Sequence, residues 1–143
     1  AAKVYAAHGD MAAARDRLAD FPAELRARIE REPANARLHS YLAEMEALLG
    51  HNEEAVRLAR QAVGFLPETR DTIDAPTLSF ILAQVYAWTG DKERALAELA
   101  RLLAIPSPAD VHSLRHDPML TALRGEPRFE ALLKDPRNTA QMF

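Results

Sequence analysis

Ala83-Gln84-Val85-Tyr86-Ala87-Trp88-Thr89-Gly90-Asp91 is the stretch on which the reading of the fold turns. Two alanines stand four residues apart, and a glycine followed by an aspartate ends the run. The arrangement recurs upstream as Ala43-x-x-Glu46-Ala47-x-x-Gly50-His51, and again as Ala2-x-x-Tyr5-Ala6-x-x-Gly9-Asp10. Each glycine is followed at a fixed offset by an alanine (Ala14, Ala55, Ala95), and the glycines lie 41 and then 40 positions apart. A constant period of this kind marks a repeat architecture.

Each unit reads as a helix, a tight turn and a second helix. The glycine ends the first helix, where a left-handed residue is least costly without a Cβ. Leu38, Tyr41, Leu42, Met45, Leu48 and Leu49 fall at helical spacing, as do Leu78, Ile81, Leu82, Val85 and Trp88 one unit on. In the second helices Ala55, Leu58, Ala59, Ala62, Val63 and Leu66 line one face, with Glu53 and Arg57 expected to pair one turn apart on the exposed side.

These residues resemble the tetratricopeptide repeat, a helical hairpin with Leu-Gly and Tyr in its first helix, Ala in its second and a closing proline. Leu42-Ala43, Gly50, Ala55, Ala62 and Pro67 fit one repeat; Leu82-Ala83, Tyr86, Gly90, Ala95 and Leu102 fit the next, with Pro106 one residue early. The family's tryptophan is replaced by His39 and Ser79, and its first glycine by Ala43 and Ala83, the smallest substitute. The implied fold is all-α: a right-handed superhelical stack of such hairpins closed by a C-terminal capping segment, in one domain over 1–143. Its expected parts are a partial first repeat (1–35), a repeat (36–67), an inserted loop (68–75), a second repeat (76–106) and the cap (107–143).

The period exceeds the family's roughly 34 residues, and the excess can be located. Glu68 to Ala75 is too polar for a core and reads as a loop with a helical turn. In the first unit the second helix runs from Met11 to Glu32 with Pro22 inside it, so a kink or break is expected near Phe21. In the tail, Asp117-Pro118 is echoed nine residues later by Glu126-Pro127, an acid and a proline suited to starting a helix. Phe129, Leu132 and Leu133 then form an apolar face fit to cover the end of a stack. This tail resembles the C-termini of repeat arrays in bacterial multidomain signalling proteins. The chain begins with Ala1, which suggests a piece of a longer protein.

The 143 residues suit one domain, and 48% hydrophobic with 27% charged residues suit a globular one. A formal charge of -3 with the signs interspersed argues against nucleic-acid binding. The stretch from Ala75 to Gly90 is too short and too polar for a membrane helix, so no membrane insertion is expected. With no cysteine there is no disulfide, thiol nucleophile or thiolate metal site. That leaves the compartment open, a cytoplasmic setting being expected over a periplasmic one.

The family resemblance implies a groove lined by the first helices, mapping to Arg37, Ser40, Glu44, Ala47 and Leu48 in one repeat and Thr77, Phe80, Gln84, Ala87 and Trp88 in the next. Ser40 and Glu44 replace the lysine and asparagine with which family members grip a C-terminal carboxylate, so that grip is not expected. Phe80 and Trp88 would suit anchoring of a bound helix or extended peptide, set against the plainer reading of a lone tryptophan as half-buried packing. His112 and His116 at i, i+4 offer two imidazoles for zinc without the rest of a motif, so no metal is expected. Glu30, Glu32, Glu44 and Glu46 read as solvated faces, and the glycines, each isolated, form no phosphate loop. No catalytic residue or cofactor is expected. The reading is a non-enzymatic scaffold for a protein or peptide partner. Its rivals are self-association through an uncovered N-terminal helix carrying Val4 and Tyr5, a possibility that would make a homodimer, and sensing of a small ligand in the groove.

Overall fold

In the computed structural model residues 10–139 are described, all helices, turns and loops, with no strand among them. The first repeat motif from Ala2 to Gly9, with Val4 and Tyr5, lies outside the described residues. The helix expected from Met11 to Glu32 is two helices, α1 (Met11–Leu18) and α2 (Phe21–Arg31), with the break at Ala19 and Asp20. Pro22 sits in the first turn of α2, where its missing N–H removes no intrahelical bond.

Four helices follow: α3 (Ala36–Leu49), α4 (Asn52–Phe65), α5 (Ala75–Thr89) and α6 (Lys92–Leu103). The ends of α3 and α5 are built alike. Gly50 and Gly90 are left-handed at φ +88° and +95°. The N–H of Gly50 donates to the Ala47 carbonyl at 3.0 Å and that of His51 to Glu46 at 2.9 Å; Gly90 and Asp91 donate to Ala87 and Tyr86 at 3.3 and 2.9 Å. This double closure satisfies the last carbonyls and turns the chain into the next helix. The N-termini are held by side chains: Asn35 accepts from the Leu38 N–H at 3.2 Å and Asp91 from the Arg94 N–H at 3.2 Å.

α3 packs on α4, α5 on α6, and α5 lies against both α3 and α4. Two contacts fix the direction of α3 relative to α5. At their starts Arg37 meets Asp74 at 2.7 Å; at their ends the Trp88 indole N–H donates to the Ala47 carbonyl at 3.0 Å. The two helices therefore run side by side and parallel, and residues 40 apart occupy matching places. Small residues permit this: Ala43, Ala47, Ala83 and Ala87 are at most 1% exposed.

The tail holds α7 (Val111–His116), a 3-10 helix (Pro118–Leu123), α8 (Pro127–Lys134) and α9 (Pro136–Thr139). Asp117 caps the 3-10 helix by accepting from the Met119 N–H at 2.8 Å. A third acid–proline pair, Asp135-Pro136, starts α9, so such pairs recur every nine residues at Pro118, Pro127 and Pro136. Gly125 at φ +82° turns the 3-10 helix into α8, so the segment is itself another helix–glycine–helix unit. Phe129 and Leu133 are buried with Leu99, Leu102 and Leu103 of α6, and Leu132 packs beside them. The loop from Pro67 to Asp74 is tied down by Glu68, which accepts two bonds from Arg101 at 2.7 and 2.9 Å and one from the Ser79 hydroxyl at 3.2 Å.

Candidate functional site

The pair of parallel helices α3 and α5 is where the groove residues fall, and burial sorts them. Ser40, Glu44 and Leu48 on α3, and Phe80 and Gln84 on α5, are buried; Arg37 and Thr77 are exposed and Trp88 is half-buried. The reason lies in the tail. The 3-10 helix packs against α5, the Gln84 amide donates to Asp117 at 2.5 Å, and Met119 is fully buried in the cluster containing Leu18, Leu42, Leu48 and Val85. Part of the face that the expected groove needs is thus filled by the chain's own C-terminal segment. Phe80 belongs to the core with Tyr86 and Leu99, and Trp88 packs on the neighbouring cluster.

The accessible positions keep Arg37, Thr77 and Trp88 of the expected row, with Tyr41, Met45 and Ile81 in place of Ser40, Glu44 and Phe80; Arg37, Tyr41 and Thr77 are exposed, while Met45, Ile81 and Trp88 are half-buried against the core. Tyr41, which its spacing places among the apolar core positions, is 47% exposed. Tyr41 and Ile81 are matching residues on the two helices, and near them stands Arg37, paired with Asp74.

Glu44 and Glu46 also correct the expectation of solvated carboxylates, since both are buried, while Glu30 and Glu32 are exposed. Glu46, 3% exposed, accepts from the Arg26 guanidinium at 2.6 Å and from His51 Nδ1 at 2.5 Å. A carboxylate survives burial when donors surround it, and here one comes from α2 and one from the turn after α3. Arg26 also reaches Glu54 on α4 at 3.5 Å. Arg57 pairs with Glu54, not with Glu53, through two bonds of 2.8 Å; together with Arg26 it holds the Glu54 carboxyl below the usual carboxylate range.

One unit on, the matching place is built differently. Tyr86 stands where Glu46 stands, and Arg94 where Glu54 stands. Arg60, reaching over from α4, donates its Nε–H to the Tyr86 hydroxyl at 2.8 Å and lies 5.6 Å from the ring centre; Arg94 lies 6.0 Å above the same ring and is tied to Asp91 at 3.0 Å. The hydroxyl bond raises the already high pKa of Arg60. Together with Asn52, Glu53, Val56, Arg57, Thr89 and Asp91, these arginines line an open cleft of about 510 Å³ between α4, the end of α5 and the start of α6, in which both signs of charge are present. Alignment of the two units on their glycines is the signal by which the sequence shows this exchange.

Elsewhere, His112 and His116 are exposed with ring centres 4.7 Å apart, and no group of three or more potential metal ligands occurs among the described residues. The inserted loop and the turn after α6 enclose an apolar hollow of about 680 Å³ between Thr72, Ile73, Pro76, Ile105 and Pro106, with Ile73 83% exposed. No described helix is long and apolar enough to cross a membrane. Comparison of the chain with protein-family models, curated proteins and solved structures finds no match.

Proposed function

We propose that the chain is a tetratricopeptide-like stack that binds a protein or peptide partner and performs no chemistry of its own. The observation that carries this reading is the row on α3 and α5. Two parallel helices, matched at an offset of 40, set the exposed Tyr41 beside the half-buried Ile81, with the half-buried Met45 and Trp88 further along and Arg37 at the start. Partly exposed apolar side chains beside an ion pair form a surface on which an amphipathic helix or an extended segment gains burial. The repeated glycine closures supply the rigid frame such a surface needs, and the tail seals the far end of the stack in the manner of a capping unit. The right-handed superhelical course is part of the same proposal.

The test replaces Tyr41 and Ile81, singly, with a photo-crosslinking phenylalanine analogue in the source cell, and Arg70 as a control. Both row positions should trap the same polypeptide and position 70 should not. A Tyr41→Glu variant, changed only at an exposed side chain and with an unchanged melting curve, should then fail to retain that polypeptide. Retention at the wild-type level would place the site elsewhere.

A further inference from the structure

The segment inserted between α4 and α5 is held along its length. Arg70 and Asp71 donate their N–H groups to the Pro67 carbonyl at 2.8 and 3.2 Å, and the Asp71 carboxylate accepts from the N–H groups of Ile73 and Asp74 at 2.8 and 2.7 Å. Glu68 is tied to Arg101 and Ser79, and Asp74 to Arg37 at 2.7 Å. A loop fixed in this way keeps Ile73 83% exposed, more than any other large apolar side chain among the described residues. The facing wall is equally set. The Ile105 N–H and the Ser107 hydroxyl both donate to the Leu102 carbonyl, at 3.3 and 2.8 Å, and Pro76 and Pro106 add rings of fixed φ. The hollow of about 680 Å³ between loop and turn is therefore preformed. Insertions into repeat units collect on one face of the stack, which is often the binding face.

We propose that this hollow binds an uncharged, largely apolar small molecule, which lies against Ile73, Pro76, Ile105 and Pro106. Size supports a small molecule: pockets for such ligands span about 300–1,000 Å³, whereas a stable protein interface covers about 800 Å² on each partner. Charge decides the class. Among the residues that line the hollow Glu68 alone is charged, and its carboxylate already takes two bonds from Arg101 and one from Ser79. A ligand cation would have to displace Arg101, and a ligand anion would meet Glu68 with no cation in the lining. Thr69 and Thr72, both exposed, complete the lining with hydroxyls that no described residue engages, enough for one polar group of the ligand. Since both walls are held in advance, binding orders little of the chain and removes apolar surface from water. The site is separate from the row on α3 and α5 and does not depend on it.

The experiment is a fluorescence titration of the chain with N-phenylnaphthylamine, an uncharged dye that brightens in apolar surroundings, and with its sulfonate as the charged companion. The uncharged dye should bind saturably at one per chain, and the sulfonate at least tenfold more weakly. Ile73→Asp places a charge in the hollow at an exposed position and should weaken binding of the uncharged dye tenfold or more, while Ile73→Leu should stay within about threefold of the wild type. Tyr41→Glu makes the same kind of change on α3 and should leave affinity within twofold, so a failure of the row and a failure of the hollow register separately. Urea midpoints of the three variants should match the wild type. No saturable binding by the wild type, or equal losses in Tyr41→Glu and Ile73→Asp, would overturn the proposal. One dye per two chains, with a dimer seen by light scattering, would make the hollow an interface between copies and overturn the assignment to a ligand. Equal or tighter binding of the sulfonate would overturn the choice of an uncharged molecule.

Discussion

Gly64 and Gly90 offer the same chemical perturbation with opposite expected signs. A Cβ added at either meets no atom within 4 Å, so neither substitution disturbs packing. Gly64 lies exposed within α4, where glycine is about 0.8–1.0 kcal/mol less favourable than alanine because of its greater backbone freedom when unfolded. Gly90 is held at φ +95°, where an L-residue is disfavoured by roughly 1–2 kcal/mol. Gly64→Ala should therefore stabilise the protein and Gly90→Ala destabilise it, the two variants lying about 2–3 kcal/mol apart. With a urea slope of roughly 1–3 kcal/mol per molar, their unfolding midpoints should differ by about 1 M. Far-UV circular dichroism in a urea titration reads this directly. If both variants shift the midpoint in the same direction, the left-handed closure at Gly90 is not the constraint described here.

Phe129→Ala empties a fully buried site against α6 and should destabilise by about 3–5 kcal/mol, visible as a lower melting temperature; a change under about 1 kcal/mol would mean α8 does not seal the stack. Ala83→Leu forces a larger side chain into a place with no exposure where α5 packs, and should cost about 1–3 kcal/mol in the same assay, whereas a neutral result would contradict the close packing. The Arg101 guanidinium holds the Glu68 carboxyl below the usual carboxylate range, and a group depressed in the folded state contributes stability above its unfolded pKa and loses it as pH falls through the folded value. Urea midpoints should hold from neutral pH to about 5 and decline below about 4, with a shallower decline in Glu68→Gln; an identical acid limb in that variant would remove Glu68 from the cause.

The helices and their turns were legible because their signals are local. Gly50 and Gly90 announce the left-handed closures, and the alanines at 43, 47, 83 and 87 the close approach of α3 and α5. The third acid–proline pair, Asp135-Pro136, was equally open to reading, since it continues a spacing of nine. What the sequence hid were contacts between distant segments. That Ser40, Gln84 and Leu48 are buried depends on how neighbouring segments, the tail carrying Asp117 and Met119 among them, lie across α3 and α5, and no periodicity within a helix reports that. The burial of Glu46 depends on Arg26 reaching across from α2, and its solvated appearance in the sequence reflects only its charge. Tyr41 reads as core by spacing, yet it lies just outside the arc that the neighbouring helices cover.

The proposed binding surface rests on α3 and α5 running parallel with residues 40 apart in matching places, and one measurement tests that most directly. The chain has no cysteine, so spin labels can be placed through Arg37→Cys with Thr77→Cys, and through Tyr41→Cys with Ile81→Cys, without background. A step of four residues advances each label by about 6 Å along its helix. In parallel helices both labels move the same way, and pulsed electron-spin resonance should return nearly equal separations for the two pairs. In antiparallel helices the axial offset would change by about 12 Å between the two pairs, so clearly unequal separations would contradict the account.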